Sequence, residues 1–218
     1  TPSPFKRADG YSGHDWMWNM VLNFGGNVGL HGRMDNVIEG YYRACNSERF
    51  SPTLCGFGLT PEGIENNPAM FELASELIWR PEQFTRDEWL KEYTGARYGT
   101  PAGEDAPDAD ILDAWKRLGA TILNCPWGNL QQGPTESVFC ARPSTRVWQA
   151  SSWSKMHPYY NPADVIEAAR IFVKAAPRFK GNNNYEYDLV DIVRQGIAEK
   201  GRLTDNDMVT ALRARDTT

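Results

Sequence analysis

Two periodicities divide the chain. Residues 16–22, Trp-Met-Trp-Asn-Met-Val-Leu, form a short apolar run between polar stretches. This predicts a strand buried on both faces, as in a parallel sheet. The run ends in Asn23-Phe24-Gly25-Gly26-Asn27, a sharp loop. Over residues 33–45, Met34, Val37, Ile38, Tyr41, Tyr42 and Cys45 recur at the spacing of one helical face. A second apolar run at 53–57 predicts another strand, leading into Gly58-Leu59-Thr60-Pro61-Glu62-Gly63. Strand, helix, strand is a β-α-β unit. Both strand-end loops then lie at the carboxyl edge of a parallel sheet, where α/β barrels place their chemistry.

From residue 67 onward the pattern is helical. Met70, Phe71, Leu73, Leu77 and Ile78 share a face over 67–79. Thr85-Arg86-Asp87-Glu88 is a capping box, with Phe84 and Trp89 at the positions of a hydrophobic staple, and that helix stops near Gly99. Residues 100–108 read as an acidic linker, and 109–123 as a helix with Ile111, Leu112, Trp115, Leu118 and Ile122 inward. Asn161-Pro162 starts another helix, running to about 176. Asn182-Asn183-Asn184 reads as a turn, 185–200 as a helix with Leu189, Ile192, Val193 and Ile197 inward, and 204–214 as a last weak helix. The stretch 124–162 is long and irregular, and such a loop in a compact domain is usually functional.

Two strands cannot close a barrel, which needs about 200 residues by itself. The predicted fold is therefore mixed α/β and mostly α. Residues 1–80 form the last strand-helix units of a (β/α)8 barrel, and 81–218 form an all-α domain. The start at Thr1-Pro2-Ser3-Pro4 reads as the middle of a longer protein.

Composition narrows the class. With 218 residues, 41% hydrophobic and 23% charged, the chain can bury a sizeable core. No apolar run reaches the length of a membrane span. A net charge of −5 argues against nucleic acid or an anionic membrane as partner. Eight tryptophans suit flat ligands such as sugar rings, although most tryptophans fill cores. The four cysteines show no metal spacing and read as mostly free and buried. The three histidines, His14, His31 and His157, lie far apart and suggest no metal site.

Three stretches carry candidate chemistry. Glu62, between Pro61 and Gly63 at a strand end, can project over the sheet edge as a nucleophile, base or electrostatic stabiliser. Spacing alone favours a plainer alternative, a glutamate in the first turn of the following helix. The Asn23–Asn27 string lets backbone approach a ligand beside amide donors and acceptors, or else forms a tight turn. Gln131, Gln132, Arg142, Trp148, Ser151, Ser152, Trp153, Tyr159 and Tyr160 form an aromatic and amide mix suited to sugars, with packing between helices the commoner use of such residues.

The string Trp18-Asn19-Met20-Val21-Leu22-Asn23-Phe24-Gly25-Gly26-Asn27, followed by Gly58-Leu59-Thr60-Pro61-Glu62-Gly63-Ile64, resembles the α-N-acetylglucosaminidases, glycoside hydrolase family 89. The resemblance continues through Arg97-Tyr98-Gly99, Ala141-Arg142-Pro143-Ser144, Ser151-Ser152-Trp153 and Tyr187-Asp188-Leu189-Val190-Asp191. It implies a barrel followed by a helical domain that helps line the pocket. It also implies a retaining mechanism run by two glutamates without a metal or organic cofactor. Glu62 matches the family's nucleophile motif, while the acid/base glutamate belongs to an earlier strand outside this chain. Asn23 and Trp153 are the expected sugar contacts, with Gln132 a third. Leu22 departs from the histidine that many members carry there, which removes a polar group expected at the pocket rim.

The resemblance further implies a glycan ending in α-linked N-acetylglucosamine as substrate, and a secreted or periplasmic enzyme, lysosomal in animal relatives. The earlier barrel strands would be needed, so the isolated chain is expected to be inactive. The alternatives are a non-catalytic carbohydrate-binding descendant and an inactive fragment.

Overall fold

The computed structural model describes residues 11–22, 29–63, 67–101, 105–126, 133–142, 144, 147 and 156–215. Among them are two strands and six α-helices. These are β1 (Trp16–Leu22), α1 (Met34–Cys45), β2 (Leu54–Pro61), α2 (Pro68–Glu76), α3 (Arg86–Tyr98), α4 (Ala109–Ala120), α5 (Pro162–Ala175) and α6 (Asn183–Ala214). The chain is thus a partial barrel followed by a helical domain.

β1 and β2 pair in parallel, with Met17 opposite Gly56 and Leu22 opposite Pro61. A bulge at Cys55 restores the alternation after Trp16 pairs with Leu54. Met20 and Leu22 enter the core, and Trp18 stacks on Phe57 at 5.2 Å. The other face is open: Met17 is 56% exposed and Val21 39%. The expectation of a strand buried on both faces therefore fails for β1. Among the described residues, the helices cover one side of the sheet.

Local signals explain the helix starts. Thr85 and Glu88 form the full capping box on α3. Asn67, Asn161 and Asn182 cap α2, α5 and α6 through their side chains. Pro68 and Pro162 occupy first-turn positions, where a missing N–H costs nothing.

α6 corrects the prediction of a turn and two shorter helices, because it runs unbroken through Gly196 and Gly201 for 32 residues. Neither glycine ends it; each permits close packing. A Cβ on Gly196 would lie 2.7 Å from the Ala169 Cβ, and one on Gly201 2.6 Å from the Phe139 ring. Its inward face also differs from expectation. Ile192 is buried, but Ile197 is 57% exposed, while Asp188, Gln195, Glu199 and Arg202 are buried.

One apolar cluster runs from Met20 and Leu22 through α1–α4 to Phe172 and Ile192, joining the sheet layer to the helical layer. Trp16, Trp89 and Trp115 are buried, as most tryptophans are expected to be, whereas Trp79 is 80% exposed. All four cysteines are free, but Cys55 and Cys140 are exposed, so only Cys125 fits the expectation of burial.

At the centre of the helical layer, Asp188 of α6 accepts from Arg97 Nε and, at 3.0 Å, from Arg97 Nη2. It also accepts from the Tyr98 hydroxyl at 2.5 Å, and Trp115 Nε1 donates to that hydroxyl at 3.0 Å. Burial raises the Asp188 carboxyl above its ordinary range, while Arg97 and Tyr98 draw it back down. This cluster locks α3, α4 and α6 together.

Candidate active site

β2 ends at Pro61, and Glu62 is the next residue, exposed at the carboxyl end of the sheet. α2 starts only at Pro68, capped by Asn67, and its first turn holds no acidic residue. The first-turn reading of Glu62 is therefore overturned. Glu62 follows a strand end and lies outside the helix.

The open face of the sheet follows from alternation. Phe57 and Leu59 pack on the core. Gly56, Gly58 and Thr60 thus share the open face with Met17, Asn19 and Val21. Asn19 Nδ2 donates to Thr60 Oγ1 at 2.8 Å, which fixes both side chains on that face. A Cβ on Gly58 would lie 2.6 Å from Asn19 Oδ1, so the glycine makes room for the amide. Glu62 lies one residue beyond the strand end and two past Thr60. Leu22, by contrast, is buried in the core and points away from the open face. This position faces the core, so the expected loss of a polar group from the pocket rim does not follow.

The three expected sugar contacts, Asn23, Gln132 and Trp153, lie outside the described residues. β1 and β2 nevertheless end in step: Leu22 pairs with Pro61, and the next residues along the chain are Asn23 and Glu62. Tyr159 and Tyr160 are placed, and both serve packing. The Tyr159 hydroxyl donates to the Ile122 carbonyl, and the Tyr160 hydroxyl donates to Glu199 Oε1 at 2.7 Å. Arg142 is exposed. Among the described residues no three His, Cys, Asp or Glu side chains gather as a metal site.

The structure adds His31, which sequence spacing left without a role. It sits in the connection between β1 and α1, 4% exposed. Its Nδ1 lies 3.0 Å from the Tyr159 hydroxyl. Because that hydroxyl donates to Ile122, the imidazole Nδ1–H donates to it, which assigns the tautomer. The His31 carbonyl accepts from Asn67 Nδ2 at 3.4 Å, tying the loop after β1 to the start of α2. No sequence signal could have shown this, because it depends on residues 36 and 128 positions away.

Burial, with a smaller contribution from the Arg33 charge, lowers the His31 pKa to about 3. The unfolded chain therefore binds a proton on this group below its ordinary value of 6.5, while the folded protein does not. Stability from this site is full above that value and is lost as pH falls toward 3, at about 1.4 kcal/mol per pH unit. Acidification from pH 6.5 to 5 is expected to cost about 2 kcal/mol through His31. Urea unfolding of wild type and of His31→Asn at the two pH values checks this; the variant should show a flatter pH dependence.

Comparison with known proteins accounts for the arrangement. A family model of the α-N-acetylglucosaminidase TIM-barrel domain matches residues 2–81, and one of the C-terminal domain of the same enzymes matches residues 89–218. The chain belongs to the α-N-acetylglucosaminidase family. It is 33% identical to the human α-N-acetylglucosaminidase over 198 residues, covering 89% of this chain and 24% of that protein. The family 89 glycoside hydrolase of Clostridium perfringens superposes in two complexes. With PUGNAc the TM-score is 0.79 at 30% identity, over 92% of this chain and 22% of the other. With its substrate GlcNAc-α-1,4-galactose, in a form bearing two Glu-to-Gln substitutions, the TM-score is 0.83 at 28% identity, over 99% and 23%. The chain thus spans about a quarter of the length of these α-N-acetylglucosaminidase family members.

Proposed function

We propose that this chain is the end of the catalytic barrel, residues 1–80, and the all-α domain, residues 81–218, of an exo-acting retaining α-N-acetylglucosaminidase, with Glu62 as nucleophile. The observation that carries this reading is the position of Glu62. It is the first residue past β2, two beyond Thr60 of the open face, and clear of α2. The strand pair itself, residues 16–22 and 54–61, contains no carboxylate. The retaining reaction needs a second one about 5–5.5 Å away, so it must come from strands beyond this pair. The substrate-bound relative with two glutamates replaced fits a two-carboxylate site.

In the first step the Glu62 carboxylate attacks the anomeric carbon of the terminal α-linked N-acetylglucosamine. The second carboxylic acid gives its proton to the departing glycosidic oxygen. A glycosyl ester on Glu62 results. In the second step that partner, now a carboxylate, takes a proton from water, and the hydroxide attacks the same carbon and releases Glu62. Two inversions leave the sugar α. No metal or organic cofactor enters these steps. Asn23, Gln132 and Trp153 are the proposed sugar contacts. The isolated chain, lacking the acid, is expected to be inactive. A secreted or periplasmic location is proposed from family likeness; among the described residues no helix is long and apolar enough to cross a membrane.

The stereochemistry of the product tests the mechanism. Proton NMR of an aryl α-N-acetylglucosaminide digested by the full polypeptide should show the α-anomer first. With Glu62→Ala and added azide, the β-glycosyl azide should form, because azide enters from the face that the nucleophile vacated. An α-glycosyl azide would instead make Glu62 the acid/base. A polypeptide that binds N-acetylglucosamine without hydrolysing it would leave the carbohydrate-binding descendant as the reading.

A further inference from the structure

Gln195, Glu199 and Arg202 lie along one face of α6 and are 2%, 0% and 5% exposed. Such a buried ionic set is not needed for stability, since apolar residues of similar volume often serve as well. Its bonds run instead to three separate stretches of chain. Arg202 Nε donates to Glu199 Oε2 at 3.0 Å, leaving the outer fork for backbone. Its Nη2 donates to the Glu136 carbonyl at 2.7 Å and its Nη1 to the Met156 carbonyl. Glu199 Oε1 accepts from the Tyr160 hydroxyl at 2.7 Å and from Gln195 Nε2 at 2.9 Å. Gln195 Oε1 in turn accepts from the Leu30 amide at 3.2 Å. Gly29 abuts the same place, for a Cβ there would be 2.6 Å from the Pro134 Cβ and 3.5 Å from Gln195 Oε1.

The relay therefore gathers Gly29–Leu30, Pro134–Glu136 and Met156–Tyr160 at one point on α6. These are the described ends of the stretches that carry Asn23, Gln132 and Trp153. We propose that Glu199 and Arg202 are positioning residues that set the register of these three stretches for sugar binding. The proposal rests on the glycosidase reading above. A planar guanidinium can hold a carboxylate and two carbonyls at fixed angles, which the point charge of lysine cannot do.

The test uses the full enzyme that contains this chain, with an aryl α-N-acetylglucosaminide as probe. Arg202→Lys and Glu199→Gln are assayed well below each variant's melting midpoint. Asp188→Asn, about two turns before Gln195 on α6 and bonded to Arg97 and Tyr98 instead of the relay, serves as a destabilised control. KM is expected to rise tenfold or more in both relay variants, with kcat within about threefold, and to stay unchanged in the control. Hydrogen exchange should accelerate at residues 29–30, 133–136 and 156–160 in the relay variants only. Tyr160→Phe, which loses one bond, should show a smaller KM rise and covers the case in which Arg202→Lys does not fold. Unchanged KM in folded relay variants, or an equal rise in the control, overturns the positioning role. A wild-type enzyme with no hydrolysis overturns the glycosidase reading and this proposal with it.

Discussion

Glu62→Gln in the full polypeptide is expected to lower kcat by on the order of 10⁴-fold or more, the scale on which loss of a covalent nucleophile is felt. The glutamine side chain has the same shape but cannot form a glycosyl ester. The first step is therefore blocked, while the groups that bind the sugar are untouched. The same change should leave stability within about 0.5 kcal/mol, as for exposed positions generally. Glu62 is exposed, lies past the last residue of β2, and precedes α2 without capping it. Kinetics and thermal melts on the same sample separate the two effects. Retained turnover with normal KM would remove Glu62 from the mechanism.

The second large effect is on stability. Asp188→Ala is expected to cost about 3–5 kcal/mol, the loss when one partner of a buried pair is removed. It would strand the Arg97 guanidinium, whose side chain is only 12% exposed, and leave the Tyr98 hydroxyl without its acceptor. In a chain of this size the melting midpoint should fall by roughly 6–20 °C. The double variant Arg97→Met, Asp188→Leu should recover much of that loss, because it leaves no unpaired charge. If the double variant melts as low as the sum of the single changes, the two groups are not coupled and the cluster is not what locks α3 to α6.

The two predictions draw on different levels of information. Glu62 was visible as a candidate because Thr60-Pro61-Glu62-Gly63 follows an apolar run. Yet spacing could not separate a strand-end carboxylate from a helix-start one. The separation came from α2 starting at Pro68 and from the Asn19–Thr60 bond between strands 41 positions apart. Conversely, the periodicity over 185–200 picked out Leu189, Ile192, Val193 and Ile197 as the inward face and gave Asp188 and Glu199 no buried role. Their burial depends on Arg97, Tyr98, Tyr160 and Arg202, partners that only packing brings near.

Elements set by local chemistry were legible in the chain itself. The capping box at Thr85, the asparagine caps before Pro68 and Pro162, and the apolar stripe of α1 act within one or two turns, so nearby residues determine them. The parallel pairing of β1 with β2 followed from the helix between them. What sequence alone misjudged was long-range. The break expected after residue 200 is absent, and Gly201 is instead a contact point under Phe139. β1 read as buried on both sides, but one face is open. His31 looked idle but is buried against Tyr159 and ties two loops together. The sequence by itself determined the two strands, the helices before α6 and the Pro-Glu-Gly motif, because propensity, capping and periodicity are local. The tertiary structure alone decided which strand face is open and which charges are buried, because burial and pairing depend on residues that are neighbours only in the folded chain.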